Sequence, residues 1–435
     1  MADPLHTFRV VSFGCKVNQT EGRTLAERLR ALGLCEVGPR SPADLVLVNT
    51  CCVTAEAARQ GRQRARKALR RAATVAVTGC AAHPASGDAD LRALAGLVAL
   101  DADKDRLLAR LRQTGRLPDA PATVAADATP AGPRPAPPHR SRAMLKVQGG
   151  CPGGCAYCIV PKVRPHVWSV PVDDAVRQAR TLVAEGFREI VLCGIHLGLY
   201  GADLPDRPTL AGLIEHLLAV DGLGRLRLSS LSPAAVTGAL VALLAAEPDR
   251  LCPHVHLSLQ SGDDAVLKAM GRPYTSRQFL DTVERIRAAA DEPAITTDVL
   301  VGFPGETDAA FEATLRVARE ARFSRMHVFP FSRRPGTRAA DMPDRVPNPV
   351  KQERRRRVAD LGATLAEAYR RRLVGRAERA IVETVLADGS AKGLAARYVR
   401  VAVRGPLPPG IGRRDLVPVR LVRAAPGALE AQPRP

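Results

Sequence analysis

The stretch AMLKVQGGCPGGCAYCIVP, residues 143–161, decides how the rest of the chain is read. Ala143–Gln148 is a strand candidate, and Cys151, Cys155 and Cys158 follow it in a C-x3-C-x2-C triplet. On a helix those spacings would put three thiols on one face. Gly149, Gly150, Pro152, Gly153, Gly154 and Pro161 argue against a helix there. The triplet reads instead as a Gly-rich loop directly after a strand, able to wrap an inorganic cluster and turn backbone N–H groups toward its sulfides. Three ligands leave one iron open to a chelating small molecule. Zinc is the alternative metal, but no fourth ligand lies close in sequence.

Downstream of the loop, strand and helix patterns alternate about six times. Strand candidates are Ala143–Gln148, Glu189–Cys193, Leu226–Ser229, Val255–Leu259, Ile295–Val301 and Met326–Phe331, with helical patterns such as Val172–Glu185, Arg277–Ala290 and Ala309–Ala321 between them. Six successive βα units predict a partial or complete parallel barrel with its chemistry at the C-terminal strand ends. A doubly wound open sheet is the competing arrangement. Upstream, Phe8–Phe13, Leu45–Val48 and Thr74–Thr78 read as strands, with helices at Glu21–Leu32 and Ala55–Arg71, a βαβαβ order that implies a parallel sheet. Cys15, Cys51 and Cys80 each fall one to three residues beyond a predicted strand. In a parallel sheet those ends share one edge, where open α/β folds place ligands. Three thiols remote in sequence are thus expected at one site.

Pro118–Arg140 is rich in Pro and Ala and reads as an extended linker. Lys351–Arg376 is a strongly basic helical pattern containing Arg354–Arg357 and Arg370–Arg372. Beyond it Ala380–Val385, Tyr398–Val403 and Leu416–Leu421 are short strands of a small all-β module.

The 435 residues carry a formal charge of +20, which favours polyanionic partners, nucleic acid first. Ten cysteines point to metal or redox chemistry rather than disulfides in a chain expected to be cytosolic. That expectation rests on an N-terminus without the apolar run of a signal peptide and on the lack of any membrane-length apolar stretch. Aromatics make up only 3% of residues, so contact with nucleic acid should depend on charge and on pocketing one splayed base.

The triplet, with Tyr157 just before its last cysteine, resembles the radical S-adenosylmethionine (SAM) signature. Phe13-Gly-Cys-Lys-Val-Asn-Gln19, Asn49-Thr-Cys51 and Thr78-Gly-Cys80 resemble the N-terminal cysteine motifs of the methylthiotransferases of that superfamily. Arg227-Leu-Ser-Ser230, His256-Leu-Ser-Leu-Gln-Ser-Gly262 and Thr297-Asp-Val-Leu-Val-Gly-Phe-Pro-Gly-Glu-Thr307 resemble core motifs of the same family. The resemblance implies an α/β chain of three parts: an N-terminal parallel α/β sheet domain (5–116), a radical SAM (βα)6 partial barrel (137–368) and a small β-barrel TRAM domain (369–433), with a linker at 117–136. It implies two [4Fe–4S] clusters, one held by Cys151, Cys155 and Cys158 and chelated by SAM, the other held by Cys15, Cys51 and Cys80. The two clusters are expected to face one another. Cys52 follows a ligand position and is read as a bystander; Cys35, Cys193 and Cys252 are read as ordinary buried thiols.

Gly194, Ser229, Gln260 and Asp298 are the expected cofactor-binding residues, polar or small groups at strand ends facing SAM, with caps and turns as the plainer reading. His196 and His256 are expected to be satisfied structural histidines. Gly150 stands where the family commonly has an acidic residue, and Trp168 falls where it has an Arg-rich motif. Lys16-Val17-Asn18-Gln19 is similar to the subfamily that methylthiolates C2 of N6-threonylcarbamoyladenosine beside the transfer RNA anticodon. N6-isopentenyladenosine, a ribosomal-protein aspartate, and a non-catalytic iron–sulfur or zinc RNA-binding protein are the alternatives. The implied partners are the tRNA anticodon stem-loop, an electron donor such as flavodoxin or ferredoxin, and a sulfur source.

Overall fold

The computed structural model describes residues 5–72, 74–115, 117 and 141–434. The Pro118–Arg140 linker reading lies outside the described residues. Two compact units are present, and the chain passes between them more than once. One gathers the described N-terminal residues with Gly150–His166 and Ser332–Asp341; the other gathers Ser141 to Gly149, Val167–Phe331 and Met342 onward.

In the first unit β1 (Thr7–Ser12), β2 (Cys35–Glu36), β3 (Leu45–Thr50), β4 (Thr74–Gly79) and β5 (Ala99–Leu100) form a parallel sheet in the order β2-β1-β3-β4-β5. Every residue of β3 and β4 is buried, as unbroken apolar runs in a doubly covered sheet require. The two-residue side-chain period sends Leu45 and Leu47 into a cluster with Phe8, Leu107 and Leu111, while Val46, Val48 and Val77 pack on the other face with Ala65. Full burial of a residue such as Leu47 contributes about 1.5–3 kcal/mol. Helices at Lys16–Ala31 and Ala55–Leu69 make the crossovers. Thr54 starts the second by accepting a hydrogen bond from Ala57 N at 3.1 Å.

In the second unit β6 (Ala143–Gly149), β8 (Glu189–Gly194), β9 (Arg225–Leu228), β11 (His254–Leu257), β12 (Ala294–Val301) and β13 (Arg325–Pro330) run parallel in chain order. The short β7 (Trp168–Ser169) flanks β6 antiparallel, and β10 (Ser230–Leu231) continues β9 past Ser229 to pair with β11. The six parallel strands are divided between two four-stranded sheets, β7-β6-β8-β9 and β10-β11-β12-β13, linked where β10 continues β9, in the manner of a partial barrel. Amphipathic helices such as Val172–Ala184 and Ser276–Ala289 cover it, and Leu192, Leu226, Leu257 and Phe279 lie in one fully buried core.

A 26-residue helix, Asn348–Leu373, leads into a closed five-stranded barrel, β14 (Ala377–Val385), β15 (Ala391–Ala395), β16 (Arg400–Val403), β17 (Leu416–Ala425) and β18 (Ala428–Pro433). Strands β15 and β18 went unread in the sequence because AKGLA and ALEAQP lack alternation of bulky residues. Arg354, one of the arginines of that basic pattern, is buried; Glu306 accepts from its Nη1 at 2.6 Å, and its guanidinium lies 5.4 Å from the Phe311 ring centroid. Among the described residues no helix is long and apolar enough to cross a membrane.

Candidate metal centre and strand-end residues

Cys15, Cys51 and Cys80 lie one to three residues past β1, β3 and β4. β1, β3 and β4 are adjacent parallel strands, so the residues just past their C-terminal ends, these three cysteines, lie along one edge of the sheet. Cys15 opens the Lys16–Ala31 helix without a side-chain cap. The motif residues after it tie the strand ends together. Asn18 Nδ2 donates to Phe13 O (2.6 Å) and Thr50 O (3.2 Å), Asn49 Nδ2 donates to Asn18 O (2.6 Å), and Gln19 Nε2 donates to Gly14 O (3.0 Å). Asn18 and Gln19 therefore act on the backbone that carries Cys15.

Gly14 has φ +89°, and a Cβ there would stand 2.5 Å from Cys51 Cβ and 2.7 Å from its Sγ. Gly14→Ala should displace Cys51 and remove up to about half of the iron taken up on anaerobic reconstitution. Gly33→Ala carries a similar backbone penalty at φ +87° with nothing within 4 Å, and should keep its iron. Equal iron content in the two variants would show that the packing of Gly14 on Cys51 is irrelevant to loading.

Burial pushes the Cys51 thiol up to about 11. Cys80 moves the other way: Cys52 donates its S–H to it, and Arg164 Nε donates to its Sγ at 3.2 Å. Cys52, read as a bystander, is thus buried against Cys80. Cys193 and Cys252 are buried as expected, whereas Cys35 is exposed, because it sits on the two-residue edge strand β2.

The C-x3-C-x2-C segment is non-helical until Val160. Gly150 takes φ +75°, a left-handed conformation that an acidic side chain adopts only with strain, which accounts for glycine at that position. Cys151 N donates to Arg164 O (2.9 Å), Gly153 N to Cys151 Sγ (3.4 Å) and Cys158 N to Cys155 O (3.1 Å). Arg338 Nη2 donates to Gly154 O (2.8 Å) and Ala339 N to Ala156 O (2.8 Å), pinning the loop to the Ser332–Asp341 segment. All six cysteines of the two sets therefore belong to one compact unit. Among the described residues no group of three or more His, Cys, Asp or Glu side chains is spaced to hold a metal ion. The donors are soft thiols with backbone N–H groups beside them, a set that fits iron–sulfur clusters, in which each thiolate binds a different iron.

The second unit carries the strand-end residues. Gly194 closes β8 so tightly that a Cβ would lie 2.9 Å from Gln148 Oε1, the atom that accepts from His196 N at 2.7 Å. Ser229 follows β9; its N donates to Leu192 O, and its buried Oγ has no hydrogen-bond partner. Gln260 has φ +69° and is held by Gln260 N to Asp298 O and Leu300 N to Gln260 O, each 2.9 Å. Asp298 is not at a strand end: it lies inside β12, where His256 Nε2 on β11 approaches its carboxylate at 3.2 Å. His256 is thereby satisfied, as expected, but His196 Nδ1 is buried without a partner. Trp168 is partly exposed and lies under Lys146 Nζ, 4.3 Å from its ring centroid.

The sequence model of the radical SAM superfamily matches residues 145–318, and that of uncharacterized protein family UPF0004 matches residues 7–98. A threonylcarbamoyladenosine tRNA methylthiotransferase, MtaB, of Chlamydia pneumoniae is 35% identical over 427 residues, covering 97% of each chain. The chain belongs to the radical SAM tRNA methylthiotransferase family. A tRNA-2-methylthio-N(6)-dimethylallyladenosine synthase of Acidothermus cellulolyticus is 34% identical over 99% of this chain and 88% of its own. The radical SAM methyltransferase TsrM of Kitasatospora setae, solved with cobalamin and a [4Fe–4S] cluster, shares the fold at TM-score 0.53 and 16% identity, over 78% of this chain and 74% of its own. The family uses SAM and [4Fe–4S] clusters. In this methylthiotransferase the residues that sequence reading missed are Arg164 and Glu21, which touch the cysteine set and each other through space. Arg164 offered one signal, an arginine six residues after the last cysteine of the triplet.

Proposed function

We propose that this methylthiotransferase converts N6-threonylcarbamoyladenosine next to the tRNA anticodon to its 2-methylthio derivative, with Cys151, Cys155 and Cys158 holding one [4Fe–4S] cluster and Cys15, Cys51 and Cys80 the other. The observation that carries this reading is the gathering of two three-thiol sets in one compact unit. A SAM-chelated cluster, when bound, supplies the electron that cleaves SAM to methionine and a 5′-deoxyadenosyl radical able to take hydrogen from C2 of the adenine. A second SAM supplies the methyl group.

The chain's residues orient these parts. Gly194, Ser229, whose Oγ is an unsatisfied hydroxyl, and Gln260 are the groups we assign to SAM, while Asp298 acts through its contact with His256. The C-terminal barrel and the exposed arginines of the preceding helix, among them Arg355 and Arg371, give the RNA a basic surface. We read 5–116, 137–368 and 369–433 as the three functional domains, working in the cytoplasm with flavodoxin or ferredoxin as the electron donor and a separate sulfur source.

Support for the threonylcarbamoyl substrate is the Lys16–Gln19 motif and the Chlamydia relative. Relatives named for dimethylallyladenosine are as similar, so the test must separate the two. Nucleoside mass spectrometry of tRNA from cells with and without the gene should show loss of 2-methylthio-N6-threonylcarbamoyladenosine, restored by the wild type. Loss of the isopentenyl counterpart instead would transfer the assignment to that nucleoside. An unchanged tRNA profile would overturn it.

A further inference from the structure

We infer that Arg164 is a positioning residue that ties the two cysteine sets together and tunes the redox potential of the cluster at Cys15, Cys51 and Cys80, an inference that rests on the ligand assignment above. Its two ends hold different motifs. The main-chain oxygen accepts from Cys151 N at 2.9 Å, fixing the first thiol of the triplet. The side chain reaches 84 residues back, where Nε donates to Cys80 Sγ at 3.2 Å.

The guanidinium plane is set by a second contact. Nη1 and Nη2 donate to Glu21 Oε1 and Oε2 at 2.6 and 2.7 Å, a bidentate pairing that leaves Nε to face the sulfur. Glu21 lies on the helix opened by Cys15 and also accepts from Lys104 Nζ at 2.8 Å, so the carboxylate is itself held in place. Both Arg164 and Glu21 are largely buried, with side-chain exposures of 16% and 9%, where charge is weakly screened. One residue therefore joins the triplet loop, the helix of Cys15 and the thiol of Cys80.

A salt bridge that served only to hold the loop would leave the electronics of the cluster untouched. A donor and positive charge on a ligand sulfur, by contrast, stabilise the reduced, more negative state and raise the potential. The two partners are then expected to act in opposite directions. Arg164→Met removes the donor and the charge and should lower the potential. Glu21→Gln leaves Nε on Cys80 while removing the compensating negative charge, and should raise it. Arg164→Lys keeps the charge without the fork and should fall between Met and wild type.

The test is an EPR-monitored redox titration of the full chain carrying Cys151→Ala, Cys155→Ala and Cys158→Ala, reconstituted anaerobically so that only the N-terminal set can load. Opposite shifts for Arg164→Met and Glu21→Gln are the expected result. Iron retained at an unchanged potential in both would overturn the inference while leaving the ligand assignment standing. Absence of iron from the triple-alanine parent would remove the ligand assignment and this inference with it. Should Arg164→Met load no cluster, the sign for Glu21→Gln decides: an unchanged or lowered potential rejects the role.

Discussion

Cys155→Ala is expected to reduce 5′-deoxyadenosine formation from SAM to background while leaving the fold intact. Cys155 is the middle thiol of the triplet, and with two thiolates left the cluster loses one of its three protein anchors. Cys52, Cys193 and Cys252 are buried thiols, Cys52 against Cys80, and Cys35 sits on the edge strand β2, outside the triplet loop. The loop should survive the change. Its hold on the rest of the unit comes from Arg338 on Gly154 O, Ala339 on Ala156 O and Cys151 N on Arg164 O, none of which uses the Cys155 side chain. The thermal midpoint of the apo-protein should therefore match wild type, and reconstitution should leave about half of the iron, held by the N-terminal set. The measurement is anaerobic turnover with dithionite, read by chromatography, beside an iron assay. Cleavage at the wild-type rate would sink the assignment of the triplet to the SAM-binding cluster.

The features that make this prediction possible were legible for a simple reason. Both cysteine sets follow strands, and the strands before Cys51 and Cys80 carry apolar runs, Leu45–Val48 and Val75–Val77, that read the same in isolation as in the fold. Gly and Pro between Cys151 and Cys158 excluded the helix, and the segment is non-helical. What the sequence did not disclose depends on partners far apart in the chain. Arg164 finds Glu21 across 143 residues, a contact that leaves no periodicity or spacing to read. Asp298 looked like a strand-end polar group, yet it is tolerated inside β12 because His256 lies on the adjacent strand. Arg354 looked like one more member of a charge run until the fold put Glu306 and Phe311 beneath it.

A second such cluster carries the largest expected stability effect. Glu189, the first residue of β8, is fully buried and accepts from Arg225 Nε at 2.6 Å and Arg227 Nε at 2.7 Å. The two arginines then reach into the C-terminal barrel: Arg225 donates to Arg379 O (2.5 Å) and Leu394 O (3.0 Å), Arg227 to Ala396 O (2.7 Å) and Ala395 O (3.2 Å). Tyr398 packs on the same place, 5.2 Å from the Arg227 guanidinium and stacked on His254 at 4.4 Å. The small barrel is thus held at the N-terminal ends of β8, β9 and β11, with one carboxylate shared between both cations. Glu189→Gln leaves two buried guanidinium groups without a counter-charge and should cost roughly 3–5 kcal/mol. Its signature is a lowered melting temperature and earlier proteolytic release of the barrel. The pH dependence gives an independent check. Burial alone would raise the Glu189 pKa, but Arg225 and Arg227 override it and hold the group at about 2, below its ordinary 4.5. A carboxylate with a depressed folded-state pKa stabilises the fold fully above its unfolded value and loses that contribution as pH falls through the folded one. The wild type should therefore lose on the order of 3 kcal/mol between pH 4.5 and 2 that the Gln variant never had, so their melting temperatures converge across that window. Parallel curves, or a variant as stable as wild type at neutral pH, would mean that the barrel is held by its apolar contacts and that the buried charges contribute nothing net.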